Sequence, residues 1–475
     1  MDLRLLSPEI ALTVTGAVII LLDLVVQKKD ILAGISILGI LISGILSFTL
    51  LGNGGTSFAN TLIVDDFSII FKLLILGATG IVVLSSVDYA RVFRAFHGEY
   101  YAILLLSTVG MMLLTSTGEL ISIYISLELT SISLFILSGF LKDEKSSEAG
   151  IKFLLLGAVS SATLLYGMAI LYALSGTTNL EQMALSLPSA AGPYRLGILL
   201  GMVLFIAGFG FKMAAVPFQM WVPDVYEGSP TPVTAYLSVA SKAAAFAVVL
   251  RVLHSALVDP QLSVDWSGLF AILSLVSMTL GNVVAIQQRN IKRMMGYSSI
   301  SHAGFLMMGL AVVPQIGSSG VLFYLLAYAF TNLGAFAAII AVSNRTGSDQ
   351  IHDYAGMGQR SPLVALGLTL CLLSLTGLPP TAGFVAKIYL FNAAVQQGLV
   401  WLVLAGVINS VIAAYYYVGV VKAMFISPAP TQSRLTTPPA LAAAILISVI
   451  GVILVGIYPT PVIDAAAAAV STLVP

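Results

Sequence analysis

The segment FGFKMAAVPFQMW, residues 209–221, lies in a long apolar run, yet carries Lys212 near its start and Pro217 five positions later. A lysine is costly within hydrocarbon. A proline removes a helical hydrogen bond and clashes with the carbonyl four residues back. Backbone freed by such a break must be satisfied by protein or by water. The two residues therefore explain each other: the break opens a hydrated pocket, and the pocket hosts the ammonium. The plainer alternative is a kink with a snorkelling lysine, which is hard to achieve from mid-span.

The rest of the chain is the setting for such a span. Of 475 residues, 58% are hydrophobic and 9% charged, against about 25% charged in soluble domains. Apolar runs of about twenty residues, each long enough to cross hydrocarbon as a helix, recur from end to end. The expected fold is an all-α polytopic membrane protein with about fourteen transmembrane helices. Its spans are read at 8–27, 31–52, 66–87, 99–117, 119–140, 149–175, 195–222, 231–257, 266–287, 298–315, 318–343, 362–392, 397–424 and 438–458. Zero net charge provides no basic surface for nucleic acid. The one cysteine, Cys371, excludes an internal disulfide framework and a cysteine-ligated cluster. The first apolar run has Lys28 and Lys29 after it rather than before it, so no cleavable signal is expected. Polar stretches are too short for a soluble domain.

Basic residues set the sides. Lys28, Lys29, Arg91, Arg94, Lys142, Lys145, Arg289, Lys292, Arg293, Arg345, Arg360, Lys422 and Arg434 fall on one side of the membrane, and Arg4, Arg195 and Arg251 on the other. This asymmetry makes the rich side cytoplasmic and directs both termini outward. Lys72, Lys152, Lys212, Lys242 and Lys387 remain within spans, with Glu128 as an acidic counterpart. Ionisable groups at such depth are functional candidates, facing a bundle interior or water.

The twelfth span repeats the device of the seventh. In SLTGLPPTAGFVAKIYLF, Gly377, Pro379, Pro380 and Gly383 interrupt the helix and Lys387 follows. Spans four to eight pair with spans nine to thirteen at an offset of five, so partners run in opposite directions. This is the organisation of two inverted five-helix repeats, with interrupted helices at about 195–222 and 362–392. The chain divides accordingly into an N-terminal three-helix segment (1–98), a first repeat (99–257), a second repeat (266–424) and a last span with a short tail (425–475). In this scheme Lys212 pairs with Lys387, and Glu128 with the region of His302.

Glu128 is read as a charge partner of Lys212; a neutral structural glutamate is the alternative. Lys242, in LSVASKAAAF, has small neighbours that allow water or close packing. For Lys152, four residues after Glu148, a simple ion pair and a functional role both stand. Lys72, with Asp65 and Asp66 one to two turns away, reads as a structural pair or a subunit contact. His302 reads as a proton relay or as a satisfied core histidine. PDVYEGSPTPVTAYL, 223–237, reads as a proline-rich turn entering the eighth span. No nucleotide, haem or iron–sulfur motif is present in the sequence.

GFGFKMAAVPFQMWVPDVYEGSPTPVTAYLSVASKAAAF resembles the core of the antiporter-like membrane subunits of respiratory complex I, and more closely the subunit N branch of proton-translocating NADH:quinone oxidoreductase. LELTSISLFILSGF, EAGIKFLLLGAVSSATLLYG, RNIKRMMGYSSISHAGF and TGLPPTAGFVAKIYLF extend the resemblance along the chain. A lysine at 387 and the short tail after the last span select that branch. The resemblance implies proton translocation in a bacterial inner membrane, with Glu128, Lys212, Lys242 and Lys387 as the translocating residues. Lys152 and His302 would be secondary relays, and Pro217, Pro379 and Pro380 the helix breaks. It further implies no cofactor or metal in this chain, with quinone, FMN and iron–sulfur clusters in other subunits. The implied partners are a neighbouring antiporter-like subunit and small membrane subunits. A cation/proton antiporter subunit of the Mrp type shares this core and is the alternative.

Overall fold

In the computed structural model the described residues are 2–93, 96–312, 315–429 and 436–473. Arg94 and Arg434, both counted in the charge asymmetry, lie outside them. The chain opens with α1 (Ser7–Asp23) and α2 (Asp30–Thr49), a small antiparallel hairpin of β1 (Gly55–Ser57) and β2 (Leu62–Val64), and α3 (Asp66–Ser86). Next come α4 (His97–Thr115), α5 (Leu120–Ser138), α6 (Glu144–Ser175) and α7 (Leu180–Met213). A short helix α8 (Trp221–Gly228) precedes α9 (Thr231–Tyr236), which passes through a π-helical turn at Leu237–Ser241 into α10 (Lys242–Ser255). The remainder comprises α11 (Pro260–Ala285), α12 (Ile291–Ala311), α13 (Gln315–Thr346), α14 (Met357–Arg360), α15 (Pro362–Thr376), α16 (Ala382–Gln396), α17 (Val400–Phe425), α18 (Pro439–Ile457) and α19 (Thr460–Ser471).

Among the described residues, twelve helical segments are long and apolar enough to cross a membrane. The other two expected spans are α12, which opens with Lys292 and Arg293, and the broken pair α15 and α16. The protein is thus an all-α, multi-pass membrane protein. Local chemistry sets many boundaries. Asp65, Asp143, Asn179 and Asn290 cap the starts of α3, α6, α7 and α12 with their side chains. Pro8, Pro232, Pro362 and Pro439 sit in first turns, where a missing N–H costs nothing.

Three segments differ from the sequence reading. Residues 180–191, between the expected spans 149–175 and 195–222, extend α7 toward its N-terminus, with a kink at Tyr194 after Pro193. The tail forms α19, which packs on α3 and α13. All of PDVYEG lies in the helix α8, because Pro223 falls in its first turn, where proline is tolerated.

The core is not evenly shared. The span formed by α9, the π turn and α10 is wholly buried, and α13 nearly so. Helix α13 touches α3, α9, α12, α15, α16, α18 and α19. By contrast, α1, α2, α6 and α17 expose Leu, Ile and Val along one face. Lys242 and Arg251 on α10 are therefore shielded from lipid by surrounding protein.

Candidate functional site

Both expected breaks are present. Helix α7 stops at Met213, and Ala214 adopts the left-handed conformation (φ 65°) before the chain reaches Pro217. The freed groups find protein partners: Ala215 N–H donates to Gly210 O at 2.8 Å, Val216 N–H to Ser277 Oγ at 3.0 Å, and Trp221 Nε1–H to Phe211 O at 3.0 Å. Lys212 sits in the last turn of α7, at the end of the helix dipole that favours a cation. Its ammonium lies 5.3, 5.4 and 5.6 Å from the ring centres of Phe135, Phe153 and Phe211. It makes no hydrogen bond to a described residue. Glu128, half-buried on α5, lies within coulombic reach of Lys212 but not in ion-pair contact with it.

In the second break, α15 ends at Thr376 and Gly377 takes φ 90°. Lys387 reaches back from α16 and donates to Leu375 O at 3.1 Å, Thr376 O at 2.8 Å and Ser410 Oγ at 3.1 Å. One ammonium thus satisfies two carbonyls that the break leaves without helical partners. In sequence Lys212 precedes its break and Lys387 follows its own, so the two are not matched position for position. What they share is a place at the carboxyl end of the leading half-helix.

The close approach of the half-helices depends on Gly383. A Cβ there would stand 1.9 Å from the backbone oxygen of Ser374. Gly383→Ala is therefore expected to push α16 off α15 and remove the seat of Lys387. The amount of chain inserted in membranes should fall, and any that assembles should be inactive. Wild-type levels with full activity would refute this.

Between the breaks lies Lys242, at the start of α10 after the π turn. Turns of this kind occur often at functional sites. Its ammonium donates to Ser299 O at 2.6 Å and Ser299 Oγ at 2.7 Å, and lies 5.4 Å from the ring centre of Tyr328. The Ser299 hydroxyl also bonds Tyr226 OH at 3.0 Å. Further along α12, His302 Nδ1 bonds Tyr324 OH at 2.6 Å, and Nε2 lies 3.4 Å from Tyr417 OH, itself bonded to Ser298. A small cavity is lined by His302, Tyr324, Tyr328, Thr331, Ser374 and Lys387, among others. Tyr328 thus stands between Lys242 and the cavity that His302 and Lys387 line. His302 was legible in YSSISHAGF; Ser299, Tyr226, Tyr324, Tyr328 and Tyr417 were not singled out.

Other candidates fall outside that interior. Lys152 is partly exposed and pairs with Glu148 at 2.6 Å and Asp224 at 2.8 Å. Asp224 also takes Arg293 at 2.6 Å, and Arg293 reaches Glu227 at 3.2 Å. Burial pushes the Asp224 carboxyl up, but hydrogen bonds from Lys152 and Arg293 outweigh it and hold it below the ordinary carboxylate value. A depressed carboxyl stabilises above its unfolded value and loses that contribution as pH falls through the folded one. Asp224→Asn should flatten the acid limb of thermal stability below about pH 4. Because the group is a third exposed, the effect should stay under about 1 kcal/mol. Melting temperatures of the assembled protein against pH would check this, and an unchanged acid limb would count against it.

Lys72 has a different partner from the expected aspartates. It pairs with Glu9 of α1 at 2.8 Å, with side-chain exposures of 0% and 4%, so it is no subunit contact. Asp65 is instead gripped by Arg251, whose two terminal nitrogens reach its oxygens at 2.9 and 2.8 Å. Arg251, counted with Arg4 and Arg195 on the outer side, is a buried clamp between α10 and the start of α3.

A multi-pass helical bundle with two broken spans, each seating a buried lysine, defines an antiporter-like membrane protein. Residues 117–413 match the family described as NADH:quinone oxidoreductase/Mrp antiporter, TM. NADH-quinone oxidoreductase subunit N of Trichlorobacter lovleyi is 44% identical over 479 residues, covering 99% of this chain and 98% of that protein. A chain of respiratory complex I from Thermus thermophilus, solved with bound aureothin, superposes with a TM-score of 0.83 at 31% identity, over 97% of this chain and 99% of that one. A chain of the Mrp complex from Dietzia sp. shares the fold, with a TM-score of 0.86 at 20% identity, over 100% and 98%. The chain belongs to the NADH:quinone oxidoreductase/Mrp antiporter family and, within it, to the subunit N family of NADH-quinone oxidoreductase.

Proposed function

We propose that this chain is the proton-translocating membrane subunit N of an NADH-quinone oxidoreductase in a bacterial inner membrane, with both termini facing outward. The observation that carries the reading is the row of buried lysines, Lys212, Lys242 and Lys387, set in two helix breaks and the buried span between them. Buried ionisable groups within a membrane mark ion pathways. Protons enter by one half-channel, cross by Lys242, and leave by the other. Glu128 acts as the switch on Lys212: near, it holds the proton; apart, as the two stand here, it lets the proton move on. His302 orients the phenols or relays between Lys242 and Lys387, while Lys152 anchors the periphery. The scheme uses residues 99–257 and 266–424 as inverted repeats, supported by the corresponding places of the two breaks.

The chain itself carries out no redox step in this reading. As a translocase subunit it depends on quinone reduction, FMN and iron–sulfur clusters in other subunits, transmitted through a neighbouring antiporter-like subunit and small membrane subunits. An Mrp-type cation/proton antiporter is the second reading, favoured by the shared fold. Purification of the native complex, with identification of its partners and a quinone-reduction assay, separates the two. Quinone-reducing and iron–sulfur partners support the pump. Sodium-dependent exchange without quinone activity would replace it with the antiporter.

A further inference from the structure

We propose that Tyr328 passes the proton from Lys242 to Lys387, through one water held in the cavity between them. The inference rests on the pump reading above and adds a residue to it. Tyr328 lies on α13 and is 3% exposed. Its ring centre stands 5.4 Å from Lys242 Nζ and 5.1 Å from the His302 ring, and it lines the Lys387 cavity. Three phenols converge here, and two have partners. Tyr324 is taken by His302 Nδ1 and Tyr417 by Ser298. The Tyr328 hydroxyl is buried and lies near Ser299, but closes no hydrogen bond of ordinary length and angle to a described residue. A buried hydroxyl without a partner is costly, and a water supplies one where polar walls surround it. The cavity leaves about 10 Å³ for the centre of a water molecule, about room for one.

The hydrogen bonds of the two lysines give the transfer a direction. Lys242 spends two of its three protons on Ser299. The third is unspent among the described residues and lies beside Tyr328. Lys387 spends all three on Leu375, Thr376 and Ser410. It can accept a proton only after losing one, when its lone pair is free to turn to the cavity. The step is then balanced. An N–H bond of Lys242 breaks as an O–H bond forms on Tyr328. The phenol gives its original proton to the water, and the water gives one of its own to neutral Lys387. Tyr328 begins and ends as a neutral phenol, Lys242 ends as an amine and Lys387 as an ammonium. His302, with both ring nitrogens occupied, holds the surrounding phenols in place.

The test uses the assembled complex in vesicles with a pH-sensitive dye, comparing Tyr328→Phe, Tyr328→His and Lys242→Ala. Tyr328→Phe keeps the ring and its packing but removes the relay, and should lower quinone-driven proton translocation at least about threefold. The H₂O/D₂O rate ratio should change with it. Tyr328→His restores a group that both takes and gives a proton, and should recover translocation with a new pH dependence near neutrality. Parent-like translocation and isotope ratio in Tyr328→Phe, alongside loss in Lys242→Ala, would overturn the relay and leave the pump standing. Normal translocation in Lys242→Ala would overturn both. If the Phe variant does not assemble, a His variant with the parent pH profile overturns the relay.

Discussion

Lys242→Arg should be as defective as Lys242→Ala, each losing about 100-fold in proton translocation, the order expected when a positioned proton-transfer group is removed. The arginine variant is the informative one. It keeps the positive charge and has donors enough for both oxygens of Ser299. Arginine does not release its proton in proteins, so it fills the seat without exchanging. The surroundings of Lys242 suit exchange: two neutral oxygens and a phenol ring hold it, and no carboxylate contacts it among the described residues. Proton uptake into vesicles, measured with quinone reduction, distinguishes the cases. If the arginine variant pumps like the parent, Lys242 is a fixed charge and the exchange mechanism fails at its central step.

The parts of this site that the sequence exposed were those that break a pattern. Pro217, Pro379, Pro380 and the five lysines stand out because an apolar run has no local use for them. The partners of those residues stayed hidden. Tyr328 counts as one more aromatic in YLLAYAF, and nothing local marks its hydroxyl as unbonded. Ser299 was not singled out in YSSISHAGF, because its bond to Lys242 crosses between α12 and α10 and depends on how the helices pack. Residues 180–191 hid for a different reason. No span is read over them, whereas α7 runs through Pro188 and Pro193 with a kink at Tyr194. The short tail after the last span is read without a helix of its own, and α19 is held there by packing on α3 and α13.

The hidden pair with the largest consequence is Glu9 and Lys72. Their 2.8 Å contact is the only polar contact of either charged group among the described residues. Removing one member leaves the other buried and unpaired, and Lys72→Met should cost about 3–5 kcal/mol of stability. Removing both, as Glu9→Leu with Lys72→Met, should restore most of it, because a buried ion pair contributes little net stability over an apolar pair of similar size. The reasoning separates this pair from the lysines of the axis. Lys72 is locked to a carboxylate on α1, whereas Lys212 stands clear of ion-pair contact and Lys242 meets only neutral oxygens. The double variant should therefore assemble and translocate protons at the parent rate, while the single variant is depleted from membranes and melts early. Thermal melting of the purified complex reads the first effect and vesicle acidification the second. A stable single variant would show that the pair does not hold α1 to α3. A well-assembled double variant that no longer pumps would move Glu9 and Lys72 from the scaffold into the proton path.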